Sequence, residues 1–465
     1  MDPHLSTAAV DRQVYQSIYD TLIRLDTDLS LKPGLAQSWE QTDPKTLVLK
    51  LRPGVKFHDG EPFTAASVKA NFERMQNHPK SLRKGEIAEI ASVEPVDDLT
   101  VKLNLKQPSS PLLTILTDRA GMMVSVKAAE AAGDDFARKP VGTGPFKFVE
   151  WLKDDRLVAR KFDGYWGKAA DGAQLPYLDE VVYRPIPDGG QRLTALKTNT
   201  VDIINFPNAK DIPGLRNSAD PRLLEVPGLA YRYIQIQVEK PPLDNKALRQ
   251  AIAFSLDREA INKAVFFDSG QPAQQGIPPS SWAFDSGFKP YTRDLAKAKA
   301  KVAESGVTSP RFTLLLANTP EEKQLGEVYK EQITEAGIEV DLELIEFGAQ
   351  VERTLKGEYQ ASMSGWSGRA DPDANTYGYF HTKGAQNRSR YKNPKVDELF
   401  DKARETYDQP ERKRLYAEIN KIITDDCPMI FVQHRAEVKA LSSKLQGFPH
   451  VPDGMIRLHE VWLAK

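Results

Sequence analysis

The spacing of hydrophobic and polar positions switches repeatedly between two periods along this chain, and each switch marks an element. Leu47 to Leu51 reads as a strand, closed by the turn signal Arg52-Pro53-Gly54. Thr64 is placed to cap a helix on which Val68, Phe72 and Met75 share one face. Val101, Leu103 and Leu105 alternate with Lys102 and Asn104, as in a half-buried strand, so this region predicts a small α+β subdomain. Further on, Leu248, Ala251, Ile252 and Ser255 share a helical face. Asp257 then caps a second helix bearing Ala260, Ile261, Ala264 and Val265, and the pair carries packing rather than chemistry.

The clearest pattern lies between 311 and 366. Phe312 to Ala317 is a short apolar run suited to a buried strand. After Pro320, Leu325, Val328, Tyr329, Gln332, Ile333 and Ala336 trace a helical face that is apolar except at Gln332. Gly337 stands where a helix-ending glycine belongs. Ile338, Val340, Leu342 and Leu344 then alternate with acidic residues as a strand. Strand, helix and strand with short links form a βαβ unit, which makes the two strands parallel. A second helix carries Val351 and Leu355 and stops at Gly357. The next strand, Tyr359 to Ser364, runs into the loop Gly365-Trp366-Ser367-Gly368-Arg369-Ala370-Asp371-Pro372-Asp373. Ligands of open α/β sheets bind outside the carboxyl ends of strands, so this loop is the best site candidate in the chain.

Composition narrows the class. The 32 prolines are spread out, with no repeat, low-complexity tract or charge block, which favours many short elements over a helical bundle. At 465 residues the chain exceeds one hydrophobic core and suits two or three domains. Hydrophobic residues at 40% and charged residues at 27% are the balance of a soluble globular protein. Lys plus Arg number 63 against 64 Asp plus Glu, without the basic excess of a nucleic-acid binder. No run approaches the ~18 apolar residues of a membrane-spanning helix. The single Cys427 excludes an intramolecular disulfide and a cysteine-rich metal site; such scarcity fits a periplasmic protein and many cytosolic ones alike. Met1-Asp2-Pro3-His4 has neither a basic n-region nor an apolar h-region. The expectation is a chain without a signal peptide or a mature form with an added start residue.

Catalytic and metal chemistry finds little support. The histidines at 4, 58, 78, 381, 434, 450 and 459 contain no pair at i, i+3 or i, i+4, so no zinc signature exists. His58-Asp59-Gly60 reads as a turn, with His58 capping or solvated. Gly142-Thr143-Gly144 is followed by a strand-like Pro145-Phe146-Lys147-Phe148, whereas a phosphate cradle needs a helix start there. Ser367 falls one residue short of a nucleophile elbow and has no assignable base. Asp371-Pro372-Asp373 offers two carboxylates to calcium, but a turn or helix-capping role suits the intervening proline better. No catalytic residue, metal or cofactor is expected.

Several stretches together resemble the family 5 extracellular solute-binding proteins, the peptide-, opine- and nickel-binding partners of bacterial ABC importers. Tyr19-Asp20-Thr21-Leu22 and Pro33-Gly34-Leu35-Ala36-Gln37-Ser38-Trp39 resemble the family's opening. Leu51 to Thr64, reading LRPGVKFHDGEPFT, is close to its best-known signature. Pro140 to Phe146 and Asp244 to Ile252 resemble two further blocks, and Gly365-Trp366 precedes Asp-Pro-Asp as in the family. The blocks follow in the family's order over nearly the whole chain.

The resemblance implies an α/β, two-lobed periplasmic binding protein of class II-like architecture, with a hinge between lobes and an additional α+β subdomain. Lobe I would hold 1–33, 141–236 and 438–465, the extra subdomain 34–140, and lobe II 237–437. A solute would be bound between the lobes, which close about the hinge, and be delivered to an inner-membrane permease by a monomeric, periplasmic receptor. A sensor that presents its closed form to a chemoreceptor is the alternative of another class, and a hydrolase would need an activated nucleophile that the sequence does not supply. In peptide-binding members an aspartate of the loop after Gly-Trp meets the ligand's α-amino group. Here Arg369 takes that place, with Asp371 two residues on. An arginine cannot neutralise an ammonium group but offers a planar fork of donors to an acid. The ligand is therefore expected to be a small anion or zwitterion, such as an opine, glutathione or an organic acid, with a di- or oligopeptide as the alternative; Arg369 bracing the loop through Asp371 or Asp373 is the competing role. Trp366, Tyr377 and Trp282 are expected to line the pocket, with Tyr15 opposite and Asp371 nearby, while Trp39 and Trp166 are expected to be structural.

Overall fold

The computed structural model describes residues 1–6 and 8–465. Contacts divide the chain into two units, Met1–Pro207 with Ser218–Leu224 and Lys439–Lys465, and Asn208–Asn217 with Glu225–Val438. Residues 34–140, expected as a separate subdomain, fall inside the first unit and have their own sheet, over a core that also takes in Leu22 and Ile23. Strands Ala36–Asp43, Thr46–Leu51, Ile90–Asp97 and Thr100–Leu105 form a four-stranded antiparallel sheet. The alternation at Leu47, Leu49 and Leu51 and at Val101, Leu103 and Leu105 turns one face inward. Val68, Phe72 and Met75 of the helix Ala65–Asn77 cover that face in the same buried cluster. A three-stranded sheet, Phe146–Leu152, Arg156–Lys161 and Glu180–Tyr183, packs with the N-terminal helix Ala9–Ile18 around a second core.

One expectation here is corrected. His58 is neither a cap nor solvated but buried, and it joins two of the sequence blocks. Its Nδ1 accepts the Gly142 backbone N–H at 3.3 Å and its Nε2 donates to the Gly144 carbonyl at 2.9 Å, which fixes the tautomer. Burial pushes its pKa down to about 4. The two glycines are required by close approach: a Cβ on Gly142 would stand 2.2 Å from the Ile18 carbonyl oxygen, and one on Gly144 2.6 Å from the Ile18 carbonyl carbon.

The second unit is built on β1 (Arg222–Ile236), α1 (Lys246–Ser255), α2 (Arg258–Phe266), β2 (Arg311–Ala317), α3 (Pro320–Thr334), β3 (Glu339–Ile345), α4 (Phe347–Lys356), β4 (Ala361–Trp366), α5 (Asp373–Phe380), α6 (Pro394–Glu405), α7 (Gln409–Asp426) and β5 (Met429–Leu441). β1 and β5 carry the chain across the division between units. The sheet order is β5-β1-β4-β2-β3, with β2 parallel to both β3 and β4, and β4 antiparallel to β1. The βαβ reading of 311–345 thus holds in detail. The Thr319 side chain accepts from the Glu322 N–H to start α3, Pro320 occupies its first turn, and Gly337 (φ +91°) turns the chain into β3. Gly357 (φ +76°) ends α4 in the same way. Leu325, Tyr329 and Ile333 of α3 join Phe312, Leu314, Leu316, Val340 and the α1–α2 pair in one core. β4 runs two residues further than the alternation suggested, to Trp366, because β1 extends beside it and pairs Tyr231 with Trp366.

Candidate functional site

The loop after β4 is fixed before it can present anything. Gly368 has φ +73°, and a Cβ there would lie 2.1 Å from the Leu229 carbonyl oxygen of β1, so only glycine fits. Asn375, in the first turn of α5 and fully buried, ties the loop together. Its Oδ1 accepts from the Arg369 backbone N–H at 2.7 Å and from Trp366 Nε1 at 3.0 Å, and its Nδ2 donates to the Arg369 carbonyl at 2.7 Å. The Tyr231 hydroxyl of β1 donates to the Asn375 carbonyl at 2.8 Å, which anchors the assembly to the sheet.

Both loop carboxylates are taken by arginines from distant elements. Arg412 of α7 holds Asp371 with two parallel bonds of 3.0 and 2.8 Å, and the two side chains are only 7% and 5% exposed. Arg404 of α6 holds Asp373 at 2.9 and 3.1 Å. Burial pushes the Asp373 pKa up against the pull of Arg404. Asp371 therefore has no carboxylate edge for a ligand ammonium group, and its expected role as a ligand contact is corrected. It anchors the loop, accepting the Asp373 N–H at 2.9 Å as the chain enters α5.

The arginines also order the aromatic candidates. Arg404 lies 3.6 Å over the ring of Tyr377, which stacks on His381 at 4.4 Å with the planes 14° apart. Arg412 lies 5.1 Å from the ring of Trp282, itself edge-on to Tyr416. Arg369 lies 4.9 Å over Trp366, and its Nη1 donates to Ser367 Oγ at 3.1 Å and to the Gly368 carbonyl at 2.6 Å. Trp366, Arg369, Tyr377 and Trp282 are each half-buried, so this loop and its surroundings combine aromatic faces with a guanidinium. Asp371 and Asp373, the carboxylates expected to brace Arg369, are held by these other arginines.

Tyr15 belongs elsewhere. It is fully buried in the first unit, edge-on to Tyr19, and its hydroxyl donates to the Asp2 carbonyl at 3.1 Å. A ring packed on all sides has no face for a solute, so Tyr15 is corrected to a core residue. Trp39 and Trp166 pack against the first unit's core, in keeping with structural roles. Asn375, Arg404 and Arg412 were missed from the sequence. Asn375 sits four residues beyond Asp371 at a helix start, a local signal that was readable; the arginines, 31 and 41 residues beyond their partners, left none.

Comparison with known proteins agrees with this architecture. Residues 30–387 match the model for bacterial extracellular solute-binding proteins, family 5 Middle. The chain is 32% identical to the glutathione-binding protein GsiB of Pectobacterium atrosepticum, over 100% of this chain and 92% of that one. Among solved structures, it superposes with a TM-score of 0.88 and 30% identity on the ABC transporter-associated periplasmic binding protein DppA from Helicobacter pylori in complex with peptide STSA, covering 100% and 96% of the two chains. With the periplasmic binding protein AgaA in complex with agropinic acid, from A. tumefacien R10, the TM-score is 0.84 and the identity 27%, covering 98% and 94%. The blocks joined by His58, the βαβ unit and the braced loop after Gly365-Trp366 are thus parts of a solute receptor, and the chain belongs to the family 5 bacterial extracellular solute-binding proteins, the periplasmic receptors of ABC importers rather than enzymes.

Proposed function

We propose that this receptor captures a small anionic or zwitterionic solute, peptide-like but carrying acid in excess, and hands it to its ABC permease, with the Arg369 guanidinium meeting the acid. The observation that carries this reading is the occupation of both loop carboxylates. With Asp371 closed around Arg412 and Asp373 around Arg404, neither loop carboxylate has an edge for a ligand ammonium group. A guanidinium over an indole face suits a carboxylate, which it meets with two parallel bonds. The names of the relatives support the same class. One binds glutathione, whose two carboxylates outnumber its one ammonium group, and another is complexed with agropinic acid.

The peptide STSA bound to the Helicobacter pylori protein favours a second reading, a receptor for ordinary short peptides. In that case the ligand's amino group is met by a group other than Asp371. A thermal-shift screen separates the two. Glutathione, opines and small organic acids are expected to stabilise the protein, by about 2.7 kcal/mol at 100 times the dissociation constant. Stabilisation by neutral dipeptides such as Ala-Ala, with none from the acids, would establish the second reading and overturn the first.

A further inference from the structure

The first unit holds a group of cations that its own carboxylates do not cover. Arg24 and Arg52 both lie over the ring of Trp166, with their guanidinium carbons 4.6 and 4.2 Å from its centroid. The two cations are therefore within about 9 Å of each other. Stacking on an indole fixes the plane of a guanidinium and leaves its N–H edges for other partners. His459 stands nearby. Burial, and then Arg24 and Arg457, hold its pKa down to about 3, so the ring is neutral near pH 7 and adds no charge.

Arg24 uses one nitrogen. Its Nη2 donates to Asp20 Oδ1 and to the Tyr165 hydroxyl, each at 2.6 Å. Arg52 donates from Nε to the Gly34 carbonyl at 3.2 Å and forms no ion pair with a described residue. Asp20 cannot serve both cations. It is 4% exposed, and its Oδ2 already accepts from Trp166 Nε1 at 2.7 Å and from Thr143 Oγ1 at 3.4 Å. Asp453 is closed by both terminal nitrogens of Arg457, at 2.8 and 2.6 Å. Glu460 is exposed and stands 3.9 Å from His459 Nε2.

The Nε and Nη1 groups of Arg24 and both Nη groups of Arg52 thus keep unpaired N–H bonds, and none of these nitrogens is sealed from water. The Arg24 side chain is 27% exposed and Arg52 is half-buried. Burial, and then the like charge of Arg24, push the Arg52 pKa down. Arg52 is held beside a second cation with no carboxylate of its own, and an anion from solution would relieve it. A planar carboxylate meets one guanidinium fork at a time. A tetrahedral oxyanion presents oxygens in several planes and takes N–H edges from two forks through bonds of about 2.8 Å. We propose that Arg24 and Arg52, oriented by Trp166, form a site for a free tetrahedral oxyanion such as phosphate or sulfate. The site lies wholly in the first unit and does not depend on the reading of Arg369.

Calorimetric titration with sodium phosphate at pH 7.5 and constant ionic strength tests it. Saturable one-site binding is expected, with sulfate competing and acetate at least about tenfold weaker. Arg52→Gln removes a fork that pairs with no carboxylate, so the fold is expected to survive. Its phosphate affinity is expected to fall about ten- to a hundredfold, the worth of charge-assisted hydrogen bonds. Arg24→Lys keeps a cation for Asp20 but loses the fork, and is expected to weaken phosphate about tenfold. Arg369→Ala is expected to bind phosphate as the unaltered protein does, which separates this site from the loop after β4. The proposal is overturned by an absence of saturable phosphate binding, by equal affinity for acetate and phosphate, or by unchanged phosphate affinity in Arg52→Gln and Arg24→Lys.

Discussion

At the scale of single residues, the two carboxylates of the loop are predicted to behave differently from Arg369. Asp371 and Arg412 form a nearly solvent-free pair. Breaking such a pair leaves one buried charge uncompensated, at a cost of about 3–5 kcal/mol. Asp371→Asn is therefore expected to lower the stability of the second unit by about 3 kcal/mol in urea unfolding. Asp373→Asn is expected to cost less, since Arg404 is 28% exposed and water compensates it in part. Arg369→Ala leaves the Asp371–Arg412 and Asp373–Arg404 pairs in place and is expected to cost less than Asp371→Asn in the same assay. A loss of several kcal/mol in Arg369→Ala would make that residue a structural brace after all.

At the scale of elements, close approach rather than turn geometry explains the Gly142–Gly144 segment. Gly144→Ala forces a methyl group against the backbone of Ser17 and Ile18 and is expected to cost about 2 kcal/mol. Gly85→Ala meets no atom within 4 Å and is expected to be neutral or slightly stabilising. Melting temperatures of the two variants decide the matter, and equal values would contradict it. The contrast also marks what the chain discloses about its own fold. The βαβ unit was legible because its signals are local: an alternation, a helical face, a glycine at each stop. The long strands β1 and β5 were not. Pro227 and Gly228 read as breaks within β1, and Arg435, Glu437 and Lys439 interrupt β5. Tertiary burial overrides those signals. Tyr15 was misplaced for the converse reason: a tyrosine near a helix end looks the same whether its ring faces solvent or core. The loop after β4 was marked as the site candidate from sequence, but the arginines that close its carboxylates lie far along the chain and came only with the fold.

At the scale of the whole molecule, the buried histidines are expected to make stability fall on the acid side. Burial holds His4 and His58 down to about 4 and His434 and His459 down to about 3, against an ordinary value of 6.5. Between pH 6.5 and these values the unfolded chain binds protons that the folded chain does not, so stability rises with pH and is lost as pH falls. Each such histidine contributes up to about 1.4 kcal/mol per pH unit. Urea midpoints are expected to fall steeply from pH 6.5 to 4.5, and His58→Phe is expected to make the dependence shallower by about one proton. A flat profile over that range would show these rings to be accessible to water.

The central claim is that an arginine receives the acid of the ligand where a carboxylate would receive an amine. Calorimetric titration of the unaltered protein and of Arg369→Ala, using the acid that stabilises the protein most and its methyl ester, tests it most directly. Loss of charge-assisted hydrogen bonds predicts an affinity about ten- to a hundredfold weaker for the acid in the variant, with the ester bound equally by both proteins. Equal affinity of the two proteins for the acid would contradict the claim.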